Sequence, residues 1–489
     1  MIATFCLALI LGFAFQGTRA VWNTDEGRYT ENALQMIDSH DYLVPAYGAD
    51  RTNFTKPPLT YWAIAASVNA FGHNEWAVRT PNALAFALTT LLLCLIGAQL
   101  MPEKAWLPGL IYCTSLAPFM AADVVSTDTL LTLFEALAMF GFVMAELGPA
   151  ARTRRWPVIL MWLGFGLGFL TKGPPALLPL LAVIPFVAKK GTWGALRRVF
   201  TPAGLTVFAI SGLLWFLVVI LIHPELLHYF LYVEVYERVL TPAQNRNPQW
   251  YGWIVAYGPV FSIATLPWLI PSLRRAPGFF AAARWREWWS EGSMEAFLIL
   301  WFLLPLVIFC VARSRLPVYV LPLFLPLSLM TALLLRDQVD MRRTGQRIAL
   351  GAWIIALIAF KGAASIHMNS AADNRKQANE LSQMVDRSAY DALVFLEPTA
   401  VDVGIEEHTP WGIRLYLDKP ILGVAWGKAD RNHRLCRLSH DYARVLYVIS
   451  PGITVDALSQ ATLRCAPKTL TSVGTWRNQR LELARDTGP

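Results

Sequence analysis

The sequence has little charge. Only 16% of its 489 residues are Asp, Glu, Lys or Arg, whereas soluble globular chains carry about 25%. With 55% hydrophobic residues and a mean hydropathy of +0.41, such a chain cannot cover itself with a solvated surface. Its 6 cysteines are too few for a disulfide scaffold, and its 31 glycines too few for a collagen repeat. These shortages exclude soluble, fibrous and disordered proteins and leave a membrane protein.

Apolar runs long enough to span a bilayer recur along the chain. Its 19 tryptophans and 31 prolines fit this class, because Trp concentrates at membrane interfaces and Pro is tolerated within spans. We therefore predict an α-helical polytopic membrane protein with about eleven transmembrane helices. They are centred on residues 2–17, 83–100, 106–122, 127–146, 157–170, 174–188, 203–222, 252–272, 295–312, 317–335 and 348–366. Between the fifth and sixth, the motif TKGPP predicts a tight re-entry, because Gly and Pro break helices.

Positive charge distinguishes the loops on the two sides of the membrane. Basic residues cluster on alternate loops, at 104, 152–155, 189–198, 274–286 and 336–347, and loops of this kind are cytoplasmic. The N-terminus is then inside, while residues 18–80 and 367–489 are outside. The first twenty residues also resemble a cleaved signal peptide. They lack its positively charged start, however, so we expect an uncleaved first span.

Two domains of different composition are expected. Residues 1–366 form a transmembrane domain that includes the outer loop 18–80. Residues 367–489 contain 14 acidic and 15 basic residues, and the runs ALVFLEP and ARVLYVISP have the character of strands. They predict a small C-terminal α/β domain outside the membrane. An oxidising compartment would permit a disulfide between its two cysteines, Cys436 and Cys465, but the sequence leaves their pairing open.

Ionisable residues stand at the outer membrane boundary, where they are costly unless paired or functional. Asp25, Glu26 and Arg28 follow the first span directly. The stretches 26–38 and 58–71 are amphipathic and predict helices lying on the membrane surface, although a loop that only caps the bundle would also carry such residues. Asp128 follows Thr127 at the start of the fourth span, where an ordinary helix N-cap is the alternative to a functional acid.

A few cations break the positive-inside trend. These are Lys56, Lys172, Arg238, Arg246, Arg313 and Arg315. Long basic side chains that extend from a span end to water explain some of them, Arg313 in particular. The alternative is an anionic ligand, because ammonium and guanidinium groups bind phosphate oxygens. A lipid phosphate would place its charge at this depth.

Seven motifs resemble a known superfamily. They are DEGRY, YLVP, FTKPPLTYW, NEWAVRTPNALA, STDTLLTLF, FLTKGPPALLPL and SRLPVYVLPLFLPL, in order between about residues 22 and 335. Together they resemble the GT-C glycosyltransferases of the aminoarabinose lipid A transferase and protein mannosyltransferase superfamily. The resemblance implies that Asp25 is the principal catalytic carboxylate and Asp128 a second functional acid. For donor and phosphate binding it implies, or makes plausible, Glu26, Arg28, Tyr29, Lys56, Lys172, Arg238, Arg315 and Tyr319.

Two departures from the family motifs concern a metal. The aminoarabinose transferases have FEKP where this chain has Thr55 before the lysine, and a histidine in VEHxQRF where it has Val235. Those two family residues form a metal site. Because hydroxyl and isopropyl groups cannot replace carboxylate and imidazole at a transition metal, we predict no metal and no other cofactor. The same departures leave the transferred sugar open.

The sequence thus predicts a membrane glycosyltransferase of a bacterial inner membrane, with its active site and C-terminal domain in the periplasm. It would move a sugar, an amino sugar being one option, from a polyprenyl-phosphate donor to a lipid acceptor such as lipid A. A protein O-glycosyltransferase of the same fold and a flippase for a lipid-linked sugar are the alternatives. We expect a monomer that contacts membrane lipids and no nucleic acid. Whether the transfer inverts or retains the anomeric configuration stays open.

Overall fold

The computed structural model describes most of the chain. The described residues are 1–48, 51–147, 155–189, 193–237, 241, 246–279, 287, 293–367, 372–400, 402–463, 465 and 468–486.

Helical residues occur in all eleven predicted spans. Among the described residues, six helical segments are long and apolar enough to cross a membrane: Glu75–Leu100, Thr127–Glu146, Pro202–Ile222, Met294–Val311, Pro317–Leu335 and Thr344–Ile366. Shorter apolar segments cover Ile2–Phe13, Trp156–Lys172 and Pro174–Lys189. The other two predicted spans are each divided into two helices, Leu107–Thr114 with Leu116–Ala121 and Gly252–Ser262 with Leu269–Phe279. A helical polytopic architecture is confirmed, while the exact count of eleven spans is supported only in part.

Several membrane helices change their winding. The segment Pro202–Ile222 contains a π-helical stretch, Ala209–Leu213, and a second π-helix covers Tyr229–Glu237. The helix Trp156–Lys172 ends at the TKGPP motif, where a 3-10 turn, Pro174–Leu177, precedes Leu180–Lys189. Successive prolines remove the amide donors that a continuous helix needs, so the predicted break is confirmed. The 3-10 turn Pro317–Leu323 leads into Phe324–Leu335, and the shorter helices are Pro102–Lys104, Trp193–Val199 and Leu226–His228.

Glycine permits a close approach between two of the membrane helices. A Cβ atom on Gly141 would lie 2.6 Å from the backbone nitrogen of Met161, and one on Gly164 would lie 2.5 Å from that of Ala138. Small residues at such crossings let helix backbones meet closely inside a membrane. The helices Thr127–Glu146 and Trp156–Lys172 are therefore packed together along their length.

The chain divides into two compact units. The first comprises 1–16, 55–60 and 79–365, and the second comprises 17–54, 61–78 and 366–489. In this division most of the outer loop belongs to the same unit as the C-terminal residues, whereas the sequence analysis assigns residues 18–80 to the transmembrane domain. The first unit has an apolar core formed by its membrane helices.

The second unit contains one of the two helices predicted in the outer loop and most of the other. They cover Asp25–Ser39 and Leu59–Phe71, and Leu59 and Thr60 of the second helix belong to the first unit. Between them lie the short antiparallel strands β1, Ala46–Tyr47, and β2, Arg51–Thr52. The predicted stretches 26–38 and 58–71 are thus confirmed as helices.

The C-terminal residues form a five-stranded sheet in the order β4-β3-β5-β7-β6. Its strands are β3 Ala392–Glu397, β4 Ile421–Ala425, β5 Arg444–Ile449, β6 Lys468–Trp476 and β7 Gln479–Asp486. Strand β3 is parallel to β4 and β5, and β7 is antiparallel to β5 and β6. The helices of this region are Asn374–Met384, Arg387–Ala389, Asp402–His408, Trp411–Ile413, Arg414–Leu417, Arg431–Asp441 and Val455–Leu463. Together they form the α/β arrangement that the sequence predicts.

Apolar clusters cover both faces of this sheet. Alternate residues of β3 belong to different clusters. Leu393 and Phe395 lie in the cluster on one face of the sheet, and Val394 and Leu396 lie in the cluster on the other. Strands covered on both faces need continuous apolar sequence, which explains the run ALVFL. A disulfide joins Cys436 to Cys465 in this region, with the two Cα atoms 4.9 Å apart, so the bond that the sequence left open is present in the structure.

Candidate functional site

Asp128 and Lys172 form a buried ion pair in the first unit. Asp128 lies in the first turn of its helix and Lys172 is the last residue of its own, so each helix dipole favours the charge it carries. The Lys172 ammonium binds Asp128 Oδ1, and the two side chains are 10% and 5% exposed. The alternative of Asp128 as an ordinary N-cap does not apply, because Ser126 occupies that position.

Tyr319 and Arg246 extend this pair. The Lys172 ammonium lies 4.4 Å from the centre of the Tyr319 ring, a cation–π contact, and Arg246 Nη1 donates a hydrogen bond to the Tyr319 hydroxyl at 3.1 Å. We call Asp128, Lys172, Tyr319 and Arg246 the Asp128 cluster. Two cations and one carboxylate give it a net positive charge, which suits a phosphate-bearing ligand. The structure brings together three of the residues predicted from the sequence.

Arg315, predicted to bind the donor phosphate, is 3% exposed and its guanidinium is held by the backbone. It donates to the carbonyl oxygens of Asn247 and Gln249, both at 2.7 Å, and of Cys310 at 2.9 Å. Its backbone amide donates to the carbonyl of Arg246 at 2.8 Å. This geometry favours a role in fixing the loop that carries Arg246 over direct contact with phosphate.

Lys56 lies beside an acid in the same unit. Its ammonium is 3.7 Å from Glu234 Oε2 and donates to the Thr55 carbonyl at 3.0 Å, while the Tyr229 hydroxyl donates to Glu234 Oε1 at 3.2 Å. Arg238 and the side chain of Val235 lie outside the described residues. Neither the Thr55 hydroxyl nor the Lys56 ammonium is a usual transition-metal ligand, whereas the Glu234 carboxylate beside them is one.

Asp25 begins the helix Asp25–Ser39 in the second unit, and its side chain is 49% exposed. Arg28, one turn later, donates a hydrogen bond to Asp25 Oδ1. Arg28 Nη1 also lies 3.8 Å from Glu406 Oε2, and Arg51 Nη2 donates to Glu406 Oε1 at 3.0 Å. We call Asp25, Arg28, Glu406 and Arg51 the Asp25 cluster. Its first carboxylate is oriented by a cation and still accessible, as a group that acts on a hydroxyl must be.

Glu26, predicted to assist donor binding, is held by a different partner. Both of its carboxylate oxygens accept hydrogen bonds from Arg19 at 2.8 Å, and one also accepts from the Trp22 amide at 3.0 Å. The Arg19 guanidinium stacks on the Trp22 ring at 4.4 Å. Glu26 and Arg19 are both buried. This arrangement favours a structural role for Glu26, at the start of the helix that carries Asp25.

The same helix is fixed to the C-terminal residues of its unit by Arg414. The Arg414 guanidinium binds Glu31 and Asp38, and donates to Gln35 Oε1 at 2.9 Å. Burial raises the pKa of Glu31, and the positive charge of Arg414 opposes that shift. Because Glu31 is completely enclosed, its charge depends on this partner.

The remaining predicted residue, Tyr29, packs near another aromatic side chain of the second unit. Its ring centre is 5.9 Å from that of Tyr61 and it is half-buried. The sequence points to Arg246 only as one of the outer cations that an anionic ligand would explain, and Glu234, Arg51 and Glu406 are not among the predicted site residues. The signal for Arg246 is its position, because a cation on an outer loop departs from the positive-inside trend. Glu406 had none, because it lies in the C-terminal region, far along the chain from Asp25.

Comparison with known proteins identifies relatives. Residues 55–223 match the family model described as dolichyl-phosphate-mannose-protein mannosyltransferase. An undecaprenyl phosphate-alpha-4-amino-4-deoxy-L-arabinose arabinosyl transferase of Aeromonas salmonicida is 33% identical over 348 residues, covering 69% of this chain and 60% of the relative. The enzyme of the same name from an Enterobacter species is 31% identical over 370 residues, covering 72% and 62%. The chain therefore spans about 60% of the length of the curated relatives it matches.

Solved structures show the same fold. The crystal structure of ArnT from Cupriavidus metallidurans bound to undecaprenyl phosphate matches with a TM-score of 0.75 at 18% identity, covering 100% of this chain and 99% of that one. An oligosaccharyltransferase of Archaeoglobus fulgidus matches with a TM-score of 0.51 at 10% identity, covering 87% and 64%. The sequence relatives and the shared fold confirm the resemblance drawn from the motifs: this multi-pass membrane protein belongs to the GT-C superfamily of aminoarabinose transferases and protein mannosyltransferases.

Proposed function

We propose that the protein transfers a sugar from an undecaprenyl-phosphate donor to a lipid acceptor such as lipid A. The observation that carries the proposal is the sequence similarity to arabinosyl transferases over about two thirds of the chain. The sugar and the acceptor are those suggested by the relatives' name and by the superfamily. A sugar ester of a lipid phosphate already holds an activated leaving group, so the transfer needs no nucleotide sugar.

Each cluster is given a role by its chemistry. Lys172 stabilises the negative charge that develops on the departing polyprenyl phosphate, while Arg246 and Lys56 contribute to binding the donor phosphate. Asp128 holds Lys172, and Tyr319 holds both cations through its ring and hydroxyl. Asp25 orients the acceptor and accepts its proton when the acceptor is a hydroxyl. Arg28 fixes the direction of the Asp25 carboxylate.

The metal of the aminoarabinose transferases has no part in this mechanism. Thr55 and Val235 stand where the family has its two ligands, and a hydroxyl and an isopropyl group do not replace a carboxylate and an imidazole at a transition metal. Transfer activity that chelation abolishes and zinc restores would overturn this proposal and show that other ligands exist.

The proposed location is a bacterial inner membrane, with both clusters on the periplasmic side. The distribution of basic loops supports this orientation. The disulfide between Cys436 and Cys465 also supports it, because such bonds persist in oxidising compartments. We further propose that the protein acts as a monomer, in contact with membrane lipids and with no nucleic-acid partner.

Protein O-glycosylation is the second candidate function, favoured by the match of residues 55–223 to a protein mannosyltransferase model. The two candidate functions differ in the acceptor, which is a lipid in the first and a protein hydroxyl in the second. A flippase for a lipid-linked sugar is a third and predicts movement of the donor without formation of a new glycosidic bond.

The test uses membranes that contain the wild-type chain or the variant Asp25→Asn. They are incubated with undecaprenyl phosphate-4-amino-4-deoxy-L-arabinose and lipid A, and products are identified by mass spectrometry. We expect modified lipid A from the wild type and a loss of about 10³-fold in rate for the variant, within the range measured for general acid–base groups. Asp41→Asn is the matched control, because Asp41 is exposed in the same outer loop and Asn can keep its turn-forming hydrogen bonds.

Three results would contradict the proposal in different ways. An undiminished rate for Asp25→Asn would remove Asp25 from catalysis. Sugar found on protein and not on lipid A would select the second candidate. Donor movement across the membrane in the absence of any glycosylated product would select the flippase.

A further inference from the structure

Glu406 comes from the C-terminal region, yet its carboxylate lies in the Asp25 cluster. The side chain is 15% exposed and meets two guanidinium groups, Arg51 at 3.0 Å and Arg28 at 3.8 Å. The backbone carbonyl of Glu406 accepts a hydrogen bond from Trp411 Nε1 at 3.2 Å, which fixes the end of the short helix Asp402–His408. All of these residues belong to the second unit.

The charges of the cluster alternate. Arg28 stands between the carboxylates of Asp25 and Glu406, and Glu406 stands between Arg28 and Arg51. Both Arg28 and Arg51 approach the Glu406 carboxylate. Without its negative charge the two guanidinium groups would repel each other, and solvent would screen this repulsion only weakly because the site is partly buried. Arg28 would then move, and the Asp25 carboxylate would turn with it.

The backbone around the cluster is held firmly. A Cβ atom on Gly27 would lie 2.8 Å from the Gly412 nitrogen, so the helix that carries Asp25 and Arg28 directly contacts the segment that follows Glu406. The ion pairs of Arg414 with Glu31 and Asp38 join the same two segments. The distance between Glu406 and Arg28 is therefore set by rigid packing on both sides.

We infer that Glu406 is a positioning residue, which holds Arg28 so that Arg28 orients the carboxylate of Asp25. The inference rests on the proposed role of Asp25 in sugar transfer. It gives the C-terminal region a part in the reaction itself. Substrate affinity need not depend on Glu406, because its carboxylate is engaged by Arg51 and Arg28. Removal of the Glu406 charge makes the cluster more positive, which does not weaken the binding of anionic lipids.

The experiment measures kcat and KM for the donor in Glu406→Gln, Glu406→Asp and Glu407→Gln, with undecaprenyl phosphate-4-amino-4-deoxy-L-arabinose and lipid A as probes. We expect kcat to fall about 10- to 100-fold in Glu406→Gln, as for a small displacement of a catalytic group, while KM stays within about twofold or falls. Glu406→Asp keeps the charge and loses less. Glu407→Gln, an exposed neighbour on the same helix, stays at the wild-type rate.

A double-mutant cycle with Arg28→Gln tests whether Glu406 acts through Arg28. In the Arg28→Gln background, the further change Glu406→Gln is expected to have little effect on kcat. An equal fall in both backgrounds, or an unchanged kcat in Glu406→Gln, would overturn the inference. If the Gln variant does not accumulate in the membrane, Arg28→Gln decides alone: because Glu406 is proposed to act through Arg28, a wild-type kcat in Arg28→Gln contradicts the positioning role.

The same set separates this inference from the proposed function. Full activity in Asp25→Asn contradicts the function proposed for Asp25 and with it the role of Glu406. Loss of activity in Asp25→Asn together with a wild-type kcat in both Glu406 variants contradicts only the positioning role.

Discussion

The two clusters hold their aspartates in different ways. The side chains of Asp128 and Lys172 are 5% and 10% exposed, whereas those of Asp25 and Arg28 are 49% and 17% exposed. A buried charge requires its partner, because desolvation would otherwise cost several kcal/mol. An exposed pair contributes about 0–1 kcal/mol to stability. Asp128 is thus enclosed with its lysine, whereas about half of the Asp25 side chain is accessible to solvent, as its proposed role requires.

The largest expected effect on stability comes from separating the buried pair. Asp128→Asn leaves the Lys172 ammonium without its carboxylate and is expected to lower the free energy of unfolding by about 3–5 kcal/mol. Asp25→Asn is expected to change it by less than about 1 kcal/mol. Thermal unfolding of the purified proteins in one detergent compares the two directly.

The double variant Asp128→Asn/Lys172→Met is the control for this prediction. Removal of both charges eliminates the unpaired cation, so most of the lost stability should return, although transfer should not. Equal destabilisation by Asp128→Asn and Asp25→Asn would show that burial does not distinguish the pairs.

A smaller effect is expected from Arg246 and concerns affinity. Arg246→Gln removes a cation that donates to Tyr319, and we expect the KM for the undecaprenyl-phosphate donor to rise about tenfold, or ~1.4 kcal/mol. The kcat should change little, the reverse of the pattern expected in the Asp25 cluster. Arg313→Gln, an exposed cation nearby in sequence to Arg315, is the control and should leave KM unchanged. A pure loss of kcat in Arg246→Gln would contradict a role in donor binding.

Much of the fold follows from sequence patterns alone. Apolar runs predict helical residues in every expected span, and TKGPP predicts the break before Pro174, because these features depend on local composition. The count of spans is less accessible, since a run such as 106–122 is divided near Ser115. Pro118 lies in the first turn of the second helix, whereas Pro81 and Pro305 lie inside continuous helices, so composition alone does not place such an interruption.

Only part of the candidate site can be predicted from the sequence, because the sequence does not show which charged residues pair. Asp128 and Lys172 are visible as charges at membrane boundaries, yet their pairing depends on a close helix crossing at Gly141 and Gly164. Arg315 has a side chain that commonly binds phosphate, but its guanidinium donates hydrogen bonds to three backbone carbonyl oxygens. Sequence shows which charges exist, whereas their partners are decided by packing between distant segments.

The smallest expected effect on stability comes from the ion pair of Asp391 and Arg444. This pair has no proposed catalytic role and serves as the reference for a solvent-accessible ion pair. The hydrogen bond from Arg444 lowers the pKa of Asp391, so the pair stabilises the fold above the unfolded-state pKa of about 4 and is lost as the pH falls through the folded-state value. Asp391→Asn should therefore cost less than about 1 kcal/mol at pH 7, with no cost once the wild-type carboxyl is protonated. Urea unfolding at several pH values measures this difference. A neutral-pH transfer rate equal to the wild type is expected, because only carboxylates that reach substrate, or orient one that does, should change the rate of transfer.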